Sequence, residues 1–176
     1  TSSALSFMLE GLKKPVIITG SQIPLAQLRS DGQANLLNAL YIAANYPIPE
    51  VTLFFNNKLL RGNRARKVDA DGFDAFDSPN FPHLLTAGIH IEVNTQLPKL
   101  HYERAELTVS PTISQPIGML ILYPCISSTV LTNIIQQPVN ALILLSYGVG
   151  NAPQNPQLLS QIEKATKQGI IVVNCT

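Results

Sequence analysis

Short, mostly apolar runs alternate with helical patterns along this chain, and that alternation restricts its fold more than any other feature. Pro15-Val-Ile-Ile-Thr19, Val51–Phe55, Ile117–Tyr123, Ala141–Leu145 and Ile170–Val173 hold consecutive aliphatic or aromatic side chains with little in/out alternation. Pro15–Thr19 reads as a strand buried on both faces, as in parallel sheets covered by helices, and Val51–Phe55 as another buried strand. Ser30-Asp-Gly-Gln33 reads as a capping box that opens a helix through Leu36, Leu37, Leu40 and Tyr41, uncharged from Gly32 to Asn45 and stopped before Pro47. Ser127 or Ser128 caps a second helix carrying Val130, Leu131, Ile134 and Ile135 on one face, closed by Pro138. Asn155-Pro156 opens a third, with Leu158, Leu159, Ile162 and Ala165 as its stripe and Gly169 as its C-cap. Strand–helix–strand without hairpin turns predicts one βαβ unit near the start and a βαβαβ unit after Pro116.

The remaining segments are less regular. Leu5, Met8 and Leu9 share a face of a leading helix, with Gly11 as C-cap and Lys13 and Lys14 beyond it. Lys58 to Asp77 alternates charges with Leu59, Leu60, Val68, Phe73 and Phe76, which predicts a hairpin-like excursion and an irregular loop. Ala87–Val93 reads as a further strand, and Asn94 to Gln115, with prolines at 98 and 111 and weak periodicity, as a linker. The expected architecture is therefore α/β, with a partial parallel-sheet domain over residues 1–94, a linker over 95–115 and the start of a smaller α/β domain over 116–176.

Charge is scarce and unevenly placed. Lys, Arg, Asp and Glu make up 13% of the 176 residues, about half the ~25% usual for a soluble domain. Beyond Glu106 only Glu163, Lys164 and Lys167 are charged at neutral pH, which predicts surface hidden by a partner or by more of the same protein. A net charge of +1 gives no basic field for nucleic acid and no polybasic membrane anchor. The apolar runs are far shorter than the roughly 20 residues that span a bilayer, and no signal peptide is legible in residues 1–30. Cys125 and Cys175 stand apart, a pattern that fits a reducing compartment better than a disulfide framework.

Ligands of open parallel sheets bind at the carboxyl ends of strands. Two loops there mix glycine with small polar residues, Thr19-Gly-Ser-Gln-Ile-Pro24 and Ser146-Tyr-Gly-Val-Gly-Asn-Ala-Pro153, so backbone groups can approach a ligand closely. Both also read as ordinary strand-to-helix turns, and Gly148-Val-Gly150 lacks the third glycine of a dinucleotide fingerprint. Arg61, Arg64, Arg66 and Lys67 lie near Asp69, Asp71 and Asp74. Surface ion pairs of about 0–1 kcal/mol explain such a cluster; a functional lysine needs partial burial beside a carboxylate, where it can help deprotonate a hydroxyl. His83, His90 and His101 are not at zinc-ligand spacing with either cysteine, so no metal site is expected.

Thr19-Gly-Ser-Gln-Ile-Pro24, Ser30-Asp-Gly32, Asn35-Leu-Leu-Asn38, Phe55-Asn-Asn57, Arg61-Gly62, Lys67, Asp71-Gly-Phe-Asp-Ala-Phe-Asp-Ser-Pro79 and Ser146-Tyr-Gly-Val-Gly-Asn-Ala-Pro153 occur in this order. Together they resemble the bacterial L-asparaginase family, in the flavour of its cytoplasmic type I enzymes. The resemblance implies a flavodoxin-like amino-terminal domain, a linker and a smaller Rossmann- or flavodoxin-like carboxy-terminal domain, in a cytoplasmic homotetramer built as a dimer of dimers. It implies hydrolysis of L-asparagine to L-aspartate and ammonia, without metal or cofactor, by a threonine nucleophile through an acyl-enzyme. By position, Lys67 matches the family's lysine, which pairs with an aspartate and tunes the proton of a nearby threonine. Ser21 matches a position whose backbone lines the substrate pocket. Asn151 matches a loop that in the family reaches a neighbouring subunit's active site, and Asp31 has the place of a motif aspartate whose implied role is helix capping and subunit packing.

The family's Thr-Gly-Gly-Thr and Gly-Thr-Asp-Thr motifs have no match in the sequence, and Thr19-Gly20 belongs to a different loop. The sequence thus predicts a central fragment without the nucleophile motifs or the carboxy-terminal third, inactive by itself. Leu145 stands where an arginine is expected before the Ser-Tyr-Gly loop, so allosteric control by asparagine does not carry over. Other readings are a glutaminase-asparaginase, the amidase subunit of a transfer-RNA amidotransferase, and a non-catalytic truncated paralogue or binding subunit.

Overall fold

The computed structural model of the 176-residue chain describes residues 1–97, 106–136 and 138–176. They form two compact units, Thr1–Thr112 and Ile113–Thr176. The expected linker's residues 98–105, with Pro98 and His101, lie outside the described residues.

In the first unit, helix α1 (Ser2–Met8) is shorter than its apolar pattern suggested. The chain turns extended at Leu9 and forms β1 (Leu9–Glu10), so Gly11 follows a strand instead of capping a helix. Strand β2 (Val16–Ile18) leads through the Thr19–Pro24 loop into helix α2 (Gly32–Asn45) and then to β3 (Val51–Phe55), which runs parallel to β2 with Val16 opposite Val51. This is the expected βαβ unit. Every residue of β3 is buried, because it is an interior strand; β2 is only half-buried, because it stands at the sheet's edge.

Beyond β3 the expected flavodoxin-like parallel sheet is corrected to a mixed one. Asn56 and Asn57 both adopt positive φ, 43° and 64°. That is the geometry of a two-residue hairpin turn, and it returns the chain as β4 (Lys58–Arg61) antiparallel to β3. The charged excursion forms a small separate hairpin, β5 (Arg66–Lys67) with β6 (Phe76–Asp77). The single strand expected over Ala87–Val93 is a hairpin, β7 (Leu85–Ala87) and β8 (Ile91–Val93), which completes a five-stranded sheet in the order β2-β3-β4-β7-β8. Strand β9 (Thr108–Val109) pairs antiparallel with β1. Ala39 and Ile42 of α2 pack with Phe54, Leu59, Leu84, Leu85 and Ala87 into the core.

The second unit follows its pattern closely. Strands β10 (Ile117–Ile121), β11 (Ala141–Leu145) and β12 (Ile171–Cys175) are all parallel, joined by helices α3 (Ser128–Ile135) and α4 (Pro156–Lys167). Ser127 caps α3 by accepting from Thr129 N, and Asn155 caps α4 by accepting from Gln157 N and Leu158 N. Helix α4 ends as its sequence predicts. Gly169 turns at φ 84°, its N–H donates to Thr166 O, and the N–H of buried Ile170 donates to Ala165 O, the two bonds of a Schellman cap. Leu120, Leu142 and Leu144 point into a core with Leu131, Ile135, Leu158 and Ala165. Ile117, Met119, Ile121, Ile171 and Val173 are exposed, so the second unit's sheet is covered by helices on one face only.

Candidate active site

The carboxyl ends of β2 and β3 open onto a cavity of about 220 Å³, lined by Thr19, Gly20, Ser21, Gln22, Phe55, Lys67 and Phe76 among others. That is the size for a small ligand, well below drug-sized pockets. Ser21 and Lys67, forty-six positions apart, come together here because β2 and the β5–β6 hairpin both reach the same end of β3.

The loop that carries Ser21 is held by polar groups from α2. The Asp31 carboxylate accepts from Gln22 N at 3.0 Å and Ile23 N at 3.0 Å. Partial burial acts to raise its pKa, but the backbone N–H groups of Ile23 and Gln22 and the Asn35 amide outweigh this and hold the carboxyl below its ordinary range. Ser30 Oγ accepts from Gly32 N and donates to Ile23 O, but the N-cap position of α2 falls on Asp31 with no side-chain capping bond, so the capping box expected of Ser30 and Gln33 is not formed and Ser30 fastens the loop instead. Asn35, buried inside α2, donates through Nδ2 to Gly20 O at 3.0 Å and to Asp31 at 3.1 Å. Its Oδ1 accepts from Asn56 N at 3.1 Å. One amide therefore ties the pocket loop to the turn after β3.

Lys67 is exposed on β5. Its Nζ donates to Gln22 Oε1 at 3.3 Å and sits 5.5 Å from the Phe76 ring centroid. The partial burial beside a carboxylate that the sequence reading asked of a functional lysine is not met among the described residues. The nearest acidic turn is organised by Asp69, whose carboxylate accepts from Asp71 N at 2.9 Å. That bond and one to the Gly72 N–H lower its pKa, with a smaller contribution from the charge of Lys67. A Cβ at Gly72 would meet Asp69 Oδ2 at 2.5 Å, so a side chain there would displace that exposed carboxylate. The Thr19 hydroxyl donates to Phe54 O at 2.9 Å, so its proton is engaged within the sheet. Among the described residues no serine or threonine hydroxyl is hydrogen-bonded to Lys67.

Asn151 lies in the second unit. Its backbone exchanges hydrogen bonds with Tyr147 across a tight loop in which Gly148 and Gly150 have positive φ, and its exposed side chain makes no hydrogen bond among the described residues. The other basic residues divide differently from expectation. Arg61 pairs with Glu50, not with the following aspartates, through Nε at 2.6 Å and a second nitrogen at 2.9 Å. The pair is largely buried, and the Arg61 guanidinium stacks 4.3 Å from the Phe81 centroid. His83 pairs with Asp77 at 2.8 Å. Among the described residues no three His, Cys, Asp or Glu side chains gather as a metal site, and no helix is long and apolar enough to cross a membrane.

Gln22 and Asn35 carry the site's geometry and were missed as functional residues in the sequence. The only available signal was their place inside the Thr19–Pro24 and Asn35–Asn38 motifs.

A glycine-containing loop at the strand ends and a lysine brought in from a hairpin line one small cavity in this α/β fold. Two family models match the chain, asparaginase N-terminal over residues 1–99 and glutaminase/asparaginase C-terminal domain over 117–176. The chain belongs to the asparaginase family. It is 65% identical over its whole length to L-asparaginase 1 of Escherichia coli (strain K12), covering 52% of that protein. It is also 46% identical over 99% of its length to the 60 kDa lysophospholipase of Mus musculus, covering 31% of that protein. The crystal structure of L-asparaginase I from Vibrio cholerae matches with a TM-score of 0.94 at 64% identity, over 99% of this chain and 53% of that one.

These matches correct two expectations. A central fragment without the family's terminal parts was expected; instead the N-terminal and the C-terminal family domains are both matched, across nearly the whole chain. Two separate, partial domains were expected; instead a single asparaginase fold runs through both units. Sparse charge beyond Glu106 was among the grounds for expecting a fragment, but it is a property of the surface and does not by itself report on the fold. The chain spans about half the length of the L-asparaginase 1 relative it matches.

Proposed function

We propose that the protein is an amidohydrolase that converts L-asparagine to L-aspartate and ammonia, and that these residues supply its lysine and its pocket loop. The observation that carries this reading is the meeting of Ser21 and Lys67 in one small cavity at the ends of β2 and β3. An ammonium has three N–H donors. Lys67 gives one to Gln22, leaving two to meet a substrate oxygen or a nucleophile's hydroxyl. Gly20 and Ser21 line the same cavity, in a loop held by Asn35 at Gly20 and by Asp31 at Gln22 and Ile23. Through the family resemblance, a threonine hydroxyl attacks the side-chain amide, ammonia leaves as the acyl-enzyme forms, and water then hydrolyses that ester to release aspartate. Lys67 tunes the threonine's proton, and Asn151 serves a neighbouring subunit's site in a cytoplasmic homo-oligomer arranged as a dimer of dimers. The matches to L-asparaginases of two bacteria support the substrate.

The test is L-asparagine binding, followed by NMR titration of the wild-type chain and of Lys67→Met. Saturable shifts at Gly20–Ile23 that weaken at least tenfold in Lys67→Met are expected, the loss of about one charge-assisted contact. Shifts elsewhere, or equal affinity in both proteins, would falsify the assignment.

A further inference from the structure

Lys67 stands on a strand of two residues, paired only as Arg66 with Asp77 and Lys67 with Phe76. The turn beyond it returns through two bonds, from the N–H groups of Val68 and Asp69 to Ala75 O. Within that hairpin the Phe76 ring lies 5.5 Å from the ammonium, and Asp74 ties the turn to Lys58 and Asn56. Among the described residues one side chain bonds both the turn and the ammonium to the Ser21 loop. Gln22 Nε2 donates to Gly72 O at 2.9 Å and Ala70 O at 3.1 Å, and its Oε1 accepts from Lys67 Nζ at 3.3 Å. The backbone N–H of the same residue is held by the Asp31 carboxylate.

We propose that Gln22 is a positioning residue that sets Lys67 against the Ser21 loop by clamping the Ala70–Gly72 turn and the ammonium with one amide. This rests on the functional reading of Lys67 and Ser21 given above. A primary amide suits the task. It has two donors for the two carbonyls and an acceptor for the ammonium, and it leaves the lysine's charge unneutralised for a ligand. The base is rigid, because Asp31 is itself held by Asn35, which is buried in α2. Methionine is close in shape to glutamine and makes none of these three bonds, so Gln22→Met removes the clamp with little change in volume.

The experiment uses four chains: wild type, Gln22→Met, Lys67→Met and the double variant. The first readout is the NMR signal of the Lys67 side chain, assigned by its disappearance in Lys67→Met. In Gln22→Met it is expected to move to the position of solvent-exposed lysines while the amide spectrum of the second unit stays unchanged. The second is L-asparagine affinity. Gln22→Met is expected to weaken binding about tenfold, as for one hydrogen bond to a charged group. The double variant is expected to bind no more weakly than Lys67→Met, because a clamp has no effect once its object is gone. A general loss of stability would lower affinity in both backgrounds and leave the lysine signal in place. An unmoved Lys67 signal, or additive losses of affinity, overturns the proposal. If Lys67→Met binds asparagine as wild type does, the functional reading fails, and the clamp stands or falls on the Lys67 signal alone.

Discussion

Asn35 offers the sharpest test of how this site is held, because a buried amide there joins three separate segments. Asn35→Ala deletes the bonds to Gly20 O, Asp31 and Asn56 N. Two neutral hydrogen bonds contribute about 1 kcal/mol each, and one to a carboxylate about 1.5–3 kcal/mol. Alanine is the better helix former and returns roughly 0.5 kcal/mol, and solvent near Asp31 weakens the ionic contribution. The expected net loss is about 2–3 kcal/mol, a large part of the 5–15 kcal/mol of a typical domain. Urea unfolding followed by circular dichroism measures it. Hydrogen exchange at the Asn56 amide, which loses its acceptor, is expected to accelerate in parallel. Asn38, on the same helix without a side-chain hydrogen bond among the described residues, is the control, and Asn38→Ala should fall within about 0.5 kcal/mol of wild type. The reasoning fails if Asn35→Ala behaves like that control, or if Asn56 keeps its protection.

Other consequences follow from neighbouring groups. The Asp31 carboxyl titrates below its ordinary value in the fold, so its stabilisation is complete above the unfolded value of about 3.9 and declines as pH falls through it toward the lower folded value. Thermal midpoints from pH 6 to about 3 should therefore fall more steeply in wild type than in Asp31→Asn; parallel curves would remove Asp31 from the account. Arg61→Met leaves Glu50 buried and unpaired and should cost about 3–5 kcal/mol in urea unfolding, most of it recovered when Glu50→Leu is added. Asn155→Ala removes the cap on α4 and should lower the second unit's stability by about 1 kcal/mol, against a few tenths for Asn155→Gly.

The second unit was legible because its determinants are local. Ser127, Asn155-Pro156 and Gly169 announce helix ends within a few residues of the ends they make, and the βαβαβ order follows from short apolar runs between them. The first unit was legible only as far as β3. Two asparagines in left-handed conformation reverse the chain there, and asparagine accepts that conformation without being a reliable sign of it. The site divides the same way. Ser21 and Lys67 were found through long motifs, whereas the Asp31–Asn35–Gln22 network depends on segments that meet only in the folded chain. Arg61 was misassigned for a related reason. Nearness in sequence favoured the aspartates that follow it, but β3 and β4 pair Arg61 opposite Thr52, close to Glu50, the residue just before β3.

The central claim is that Lys67 and the Ser21 loop form one asparagine site. Transferred nuclear Overhauser effects between bound L-asparagine and the chain test it most directly, because they report contact and not merely altered stability. The account predicts cross-peaks from the asparagine protons to Ser21, to the Lys67 side chain and to the Phe76 ring, all lost in Lys67→Met. Cross-peaks to residues outside that cavity, with none to Lys67, would contradict it.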